Sequence, residues 1–225
     1  PRERPIPAVF FERLNDTFAL ERGDLLRFDI VRYDDDEATD LAMTWVGDLA
    51  DPAAREALLA EAQSSVGRVT HFVHSASPPR READHAMAVT TETWAQMHAV
   101  NLEAGFHLSR ELARKLIAEK TPGSFLLLTS LHAGTPRNLP HYSTSKAGLS
   151  MLVKELAKTF GRFNIRVNAL VPGAIAAGGF VADPKLARHI PLGRLGQAED
   201  LAPLALAVLS NRISAYVTGA SIVID

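Results

Sequence analysis

The chain predicts an α/β fold, a doubly wound parallel sheet in three layers with helices on both faces. Two observations predict it. Short, nearly uninterrupted apolar runs alternate with longer stretches of helical periodicity, the pattern of strands buried on both faces and joined by right-handed crossovers. The residues that close these runs, Ser130 and Pro172-Gly173 among them, fall at strand carboxyl ends, where open α/β sheets place their ligands. At 225 residues the chain is long enough for one sizeable core, so a single domain is expected over residues 1–225.

The elements follow in order. Residues 10–20 read as a helix and 25–33 as a strand. Ile6-Pro7-Ala8-Val9-Phe10-Phe11 is an alternative first strand, although an interior proline suits a central strand poorly. Asp51-Pro52 is a cap followed by proline at the first helical position, and Ala54, Leu58, Leu59, Ala62 and Val66 then form one face of a helix. Residues 70–74 return as a strand. Residues 93–120 form a long helix carrying Trp94, Met97, Val100, Leu102, Phe106 and Leu108, ended by Pro122-Gly123. Residues 123–130 are a buried strand, and a polar link over 131–141 leads to a helix that begins near Tyr142 and runs to Phe160, with Leu152, Val153 and Leu156 inward. Arg166-Val167-Asn168-Ala169-Leu170-Val171 is another buried strand, stopped by Pro172-Gly173. There is no internal repeat, heptad array or low-complexity linker.

Tyr142 and Lys146 stand four residues apart, on one face of a helix, and can share a reaction centre. A phenol ordinarily keeps its proton to about pH 10, and a nearby ammonium favours the phenolate, so the pair reads as a proton donor or acceptor. Ser130, at a strand's carboxyl end, offers a hydroxyl to the same region. Asn101 lies in mid-helix, either as a polar residue on a wet face or as a buried amide holding a water or a backbone kink beside the site.

Asn101, Ser130, Tyr142 with Lys146, and Pro172-Gly173, in this order on matching strands and helices, resemble the short-chain dehydrogenase/reductase family. Gly47-Asp48-Leu49-Ala50-Asp51, Gly67-Arg68-Val69-Thr70-His71-Phe72-Val73, Leu195-Gly196-Gln197-Ala198-Glu199-Asp200-Leu201 and Tyr216-Val217-Thr218-Gly219-Ala220 extend the resemblance over roughly residues 45–225. It implies a Rossmann-like domain and a nicotinamide-dependent ketoreductase, acting on a ketone or 3-oxoacyl thioester or on the reverse reaction. Tyr142 is implied as proton donor, Lys146 as ribose-binding cation, Ser130 as the group positioning the carbonyl, and Asn101 as support for a relay water. These types suit the chemistry: hydride transfer to a carbonyl leaves an alkoxide, which needs a hydrogen-bond donor and a following proton. Asp48, Leu49, Ser75, Ala76, Tyr142, Lys146, Pro172, Gly173 and Ile175 are the implied cofactor contacts. His132 and Phe180 are candidates for substrate contact, Phe180 with Val181 in a lid over 174–191 that reads equally as a loose surface loop. A homodimer or homotetramer packed through the helices at 93–120 and 142–160 is a further implication.

Three departures stand against that resemblance. The Thr-Gly-x-x-x-Gly-x-Gly turn is absent, since Gly23 and Gly47 are the only glycines before Asp48; residues 1–45 are therefore an atypical or incomplete first part, and the chain is suspected to be a fragment. His74-Ser75-Ala76-Ser77 stands where the family has Asn-Asn-Ala-Gly, although pteridine-reductase-like members also carry the last serine. Ala174-Ile175-Ala176-Ala177 lacks the usual hydroxyl after Pro172-Gly173, leaving backbone groups at Ile175 for the nicotinamide carboxamide. The alternative these departures motivate is a noncatalytic structural or dimerisation subunit. NAD or NADP is the expected cofactor. Asp34, Asp35 and Asp36 after the 25–33 strand favour NAD, by accepting from a ribose 2′-hydroxyl and repelling a 2′-phosphate, while Arg32 argues the other way and a solvated acidic loop is the plain reading.

Composition narrows the remaining classes. A formal charge of −2 gives no basic footprint for nucleic acid, and no apolar run is long enough for a membrane span. Cysteine is absent, which removes disulfides and thiolate sites and favours a cytoplasmic setting. His98, His107, His132, His141 and His189 lack metal spacing, so no metal is expected and the partner is a small molecule.

Overall fold

The computed structural model describes residues 28–32, 41–176 and 186–225. Four parallel strands form the main sheet in the order β3 (His71–His74), β4 (Gly123–Leu128), β5 (Ile165–Pro172) and β6 (Ser221–Ile224). Consecutive strands are neighbours and all run the same way, so every connection crosses over the sheet, and the carboxyl ends of β3 to β6 open on one rim.

Both faces are covered, as the uninterrupted apolar strands require. Phe125 and Leu127 of β4 point to the side where α3 (Ala104–Ala118) and α4 (Pro140–Phe160) pack, joining Leu112, Leu116, Leu149, Val153 and Val167. The alternate residues Leu126 and Leu128 meet α5 (Ala198–Leu209) through Ala205, Val208 and Leu209. A side-chain period of two thus divides one strand between two cores, giving the three layers. Helix α1 (Pro52–Val66) begins where expected: Asp51 accepts from the Ala53 N–H and Pro52 opens the first turn. Leu58 then packs with Val100, Ala104 and Leu108.

Arg166 ties β5 to the C-terminal helices. Its guanidinium donates to the carbonyls of Val208, Leu209 and Val217 and to Asn211 Oδ1 at 2.8–3.2 Å, with the side chain almost wholly buried. It caps the last carbonyls of α5, which have no intrahelical partner, and the short α6 (Asn211–Ser214) follows at once.

Three expectations need correction. The 25–33 strand is β1 (Phe28–Arg32), but it pairs antiparallel with β2 (Leu41–Trp45) in a two-stranded sheet of its own. The link over 33–40 is too short for a parallel crossover, which takes a dozen or more residues, and suits an antiparallel return. Among the described residues β3 is consequently an edge strand. The long helix is not uniform either: α2 (Thr91–His98) passes through a π turn at Ala99–Glu103 before α3 resumes. Helix α4 starts at Pro140, whose missing N–H costs nothing in a first turn, rather than at Tyr142.

Candidate active site

The site is built on the rim above β3 to β5. Lys146, two turns into α4, is 3 % exposed and donates to the Leu128 carbonyl at 2.9 Å, which pins its ammonium at the carboxyl end of β4. That is its one hydrogen bond among the described residues, leaving two ammonium protons uncommitted. Burial, and secondarily the charge of Arg80, lower its pKa to about 7. Tyr142 is also buried, with Lys146 Nζ 5.7 Å from its ring centroid.

Two further groups fix the phenol ring. The Arg80 guanidinium lies over it, 4.7 Å from the centroid, and the His132 ring meets it edge-on at 5.1 Å. Ser130 follows β4, and its Oγ accepts from the His132 N–H at 3.2 Å. The hydroxyl proton of Ser130 is thereby left to donate elsewhere. Burial first, then Arg80 and Arg137, hold the His132 imidazole at about 4, so it is neutral near pH 7.

Asn101 lies inside the π turn and is completely buried. Its Nδ2 donates to Ser145 Oγ at 2.9 Å, and Ser145 Oγ donates in turn to the Tyr142 carbonyl at 2.8 Å. Asn101 Oδ1 is buried without a hydrogen-bond partner. Its main-chain carbonyl accepts from His74 Nε2 at 3.0 Å, which fixes the imidazole tautomer because a carbonyl can only accept. His74 Nδ1 is then a buried lone pair without a partner. Burial, followed by the Lys146 charge, lowers its pKa to about 4. Gly105 lets α3 lie close, since a Cβ there would stand 3.0 Å from His74 Cδ2.

Of the sequence-derived residues, Asn101, Ser130, His132, Tyr142 and Lys146 come together. Pro172 ends β5, and the Gly173 N–H donates to the Ile224 carbonyl at 2.8 Å while the Asp225 carboxylate occupies the space a side chain would need. Ile175 forms a parallel bridge with Gly196 in which Ala174 O and Ala176 N carry the hydrogen bonds, so its own N–H and C=O face away from Gly196. Asp48 is exposed and accepts from the Ala50 N–H at 2.8 Å. Leu49 and Ala76 are core residues of one cluster, so only their backbone could meet a ligand, and the Leu49 carbonyl already accepts from Arg55 Nε at 2.6 Å. Ser75 is half-buried just past β3. Phe180, Val181 and Asp34 to Asp36 lie outside the described residues.

Sequence reasoning missed Ser145 and Arg80, and it weighed His141 only as a metal ligand. Ser145 was legible, because it shares the inward face of α4 with Tyr142 and Lys146. Arg80 sits in an aperiodic loop after β3 and gave no signal. His141 is fully buried, with Nε2 3.8 Å from Asp84 Oδ2. His98 is held by the Trp94 carbonyl and by Thr144. Among the described residues no cluster of histidines and carboxylates could hold a metal, and no helix is long and apolar enough to cross a membrane.

Known proteins resemble this chain in sequence and fold. A family model described as enoyl-(acyl carrier protein) reductase matches residues 32–225. The (3R)-3-hydroxyacyl-CoA dehydrogenase of Mus musculus is 34% identical over 178 residues, covering 76% of this chain and 67% of that protein. The 3-ketoacyl-(acyl-carrier-protein) reductase of Brucella melitensis, solved with NADH, superposes with a TM-score of 0.73 at 28% identity, over 79% of this chain and 74% of the other. A 4-hydroxyisoleucine dehydrogenase complexed with NADH and succinate gives a TM-score of 0.73 at 26% identity, over 79% and 76% of the two chains.

Proposed function

Because the chain belongs to the short-chain dehydrogenase/reductase family, and is thus an oxidoreductase interconverting carbonyls and alcohols with NAD(P), we propose that Tyr142 is its proton donor, supported by Lys146, Ser130 and Asn101. The observation that carries this reading is the buried ammonium of Lys146 beside the phenol, with two protons uncommitted at the carboxyl end of β4.

The residues fit the nicotinamide half of a dinucleotide. Lys146 has donors for two ribose hydroxyls, and the outward N–H and C=O of Ile175 match a carboxamide. When bound, the nicotinamide supplies or accepts the hydride. At the adenosine end the candidates are Asp48, Ser75 and the backbone of Leu49 and Ala76. A preference for NAD over NADP rests on Asp34 to Asp36 and is part of the proposal.

The protein's own groups handle the oxygen and the proton. Ser130, whose Oγ already accepts from His132, has its O–H left for the substrate oxygen. Tyr142 gives its proton as negative charge builds there, and its aim is set by the rings and cation packed on it. Lys146, at about 7, readily yields a proton and can restore the phenol. Asn101 and Ser145 hold the main chain at Tyr142 and so keep the phenol on its strand-end target. The substrate is a ketone or a 3-oxoacyl thioester. Assembly into a homodimer or homotetramer through α2 to α4 belongs to the same reading, and Trp94, Phe106 and Met151 are exposed on those helices.

The test is oxidation of NADH and NADPH with a panel of neutral ketones, thioesters and oxo acids. Turnover that Tyr142→Phe abolishes supports the reading. Absence of any nicotinamide binding or turnover rejects it in favour of a noncatalytic subunit.

A further inference from the structure

We propose that Asp84 and His141 are positioning residues, a catch that ties the loop over residues 75–90 to α4 and so holds Arg80 on the Tyr142 ring. The catalytic part of this rests on the oxidoreductase reading above; the attachment of the loop does not. His141 is the starting point, because its side chain is 0 % exposed and, among the described residues, neither ring nitrogen has a hydrogen-bond partner. Buried polar atoms left this way are unfavourable, so the ring is ready for a partner. A carboxylate stands close: Asp84 Oδ2 is 3.8 Å from His141 Nε2. That is about 0.6 Å beyond a hydrogen bond, and a small inward shift of an exposed loop closes it.

The loop carries that hold to the phenol. Asp84 Oδ2 also accepts from the Arg81 N–H at 3.3 Å, and the Asp84 N–H donates to the Arg81 carbonyl at 3.0 Å. These bonds close a turn over residues 81–84, so a shift of Asp84 is passed to the main chain that leads directly to Arg80. The Arg80 guanidinium in turn lies 4.7 Å from the Tyr142 ring centroid. His141 and Tyr142 are consecutive in α4, so the loop meets the helix at two adjoining side chains, one through a carboxylate on an imidazole and one through a cation on a ring. Loosening the first contact displaces the second.

The imidazole makes the catch depend on pH. Burial, the largest influence, holds His141 below its usual 6.5, with Asp84 opposing the shift and His98 of α2 reinforcing it. Among the described residues these two are the titratable groups that bear on the ring, and His98 is itself held by the Trp94 carbonyl and Thr144. A neutral imidazole offers Asp84 one N–H, whereas an imidazolium adds a charge, so the proton and the closed catch favour each other. The catch therefore tightens as pH falls below 6.5.

Hydrogen exchange of the full chain, read by mass spectrometry as protection of residues 80–88 relative to the β4 amides from pH 7.5 to 5.0, tests the attachment without reference to activity. Relative protection should rise in the parent as pH falls, and Asp84→Asn should lower it by about 10-fold at pH 5.0 and flatten the profile. His141→Gln should flatten it as well, while Asp84→Glu, which keeps the charge, should restore part of the slope. With a carbonyl that the parent reduces, Asp84→Asn should lower kcat by about 10-fold at pH 6 with little change in KM, as expected for a misplaced phenol. Equal protection in parent and Asp84→Asn across the range, a slope that persists in both Asp84→Asn and His141→Gln, or an unchanged kcat in a variant whose loop has loosened overturns the proposal. A parent inert toward every carbonyl removes the oxidoreductase reading and the positioning role with it, while the exchange profile still decides whether the catch exists.

Discussion

His74 should make this fold acid-labile, and His74→Asn should cure it. The imidazole is completely buried, donates through Nε2 to the Asn101 carbonyl at 3.0 Å, and holds its bare Nδ1 away from any partner. Protonating it would bury a charge close to Lys146, which explains a pKa lowered from 6.5 to about 4. Between those values the unfolded chain binds the extra proton and the folded chain does not, so stability rises with pH across the window. The contribution is complete above pH 6.5 and is lost as the pH falls through 4. A shift of this size corresponds to roughly 3 kcal/mol, a sizeable part of the 5–15 kcal/mol that holds a typical domain together. Asparagine can still donate to the Asn101 carbonyl and cannot titrate. Urea midpoints measured from pH 7.5 to 4.0 for parent and variant isolate the effect, because His132, His71 and His141 are also lowered but are common to both proteins. The stability gap should change in the variant's favour by about 3 kcal/mol as pH falls. Parallel curves would mean that His74 takes its proton in the fold as easily as in water, and the assigned tautomer and burial would be wrong.

Other outcomes follow from the same geometry. Tyr142→Phe should lower kcat by about 10²- to 10⁴-fold without moving the thermal midpoint, because the hydroxyl makes no hydrogen bond to the described residues. Lys146, lowered from 10.5 to about 7, is held charged in the fold only below that pH; stability should therefore climb from pH 7 toward 10, and Lys146→Met should flatten the climb in denaturant titrations. Arg166→Met orphans three main-chain carbonyls and should cost at least about 3 kcal/mol, seen by calorimetry as a fall of roughly 6–12 °C.

The fold was legible where one physical rule spoke alone. Residues 125–128 and 169–171 are apolar at successive positions because both faces of β4 and β5 are covered, and such a run admits few other readings. The two-stranded β1 and β2 were harder, since Leu41-Ala42-Met43-Thr44-Trp45 offers only weak alternation and the antiparallel return depends on a short link rather than on composition. In the site, spacing put Tyr142 and Lys146 on one face of α4, and their order after Asn101 and Ser130 and before Pro172-Gly173 made them candidates. Arg80 was illegible because a loop has no period, and its place over Tyr142 is set by the path of residues 77–80 in space.

Asn101 shows how the two halves of the problem join. Asn101 lies in the π turn at Ala99–Glu103, where one turn of backbone is widened, and its Nδ2 lies within hydrogen-bond distance of Met97 Sδ as well as Ser145 Oγ. The widened turn frees the Asn101 carbonyl for His74 on β3, while the side chain crosses to Ser145 on α4. One residue thereby connects an edge strand to the main chain of Tyr142 through a sequence of buried hydrogen bonds, each in a setting of low polarity where an unmade bond is costly. At His74 the ring fits against the space that Gly105 leaves open and supplies a donor to the π turn. What the ring adds is a titratable nitrogen beneath Lys146, and with it a dependence on pH that an asparagine would not confer.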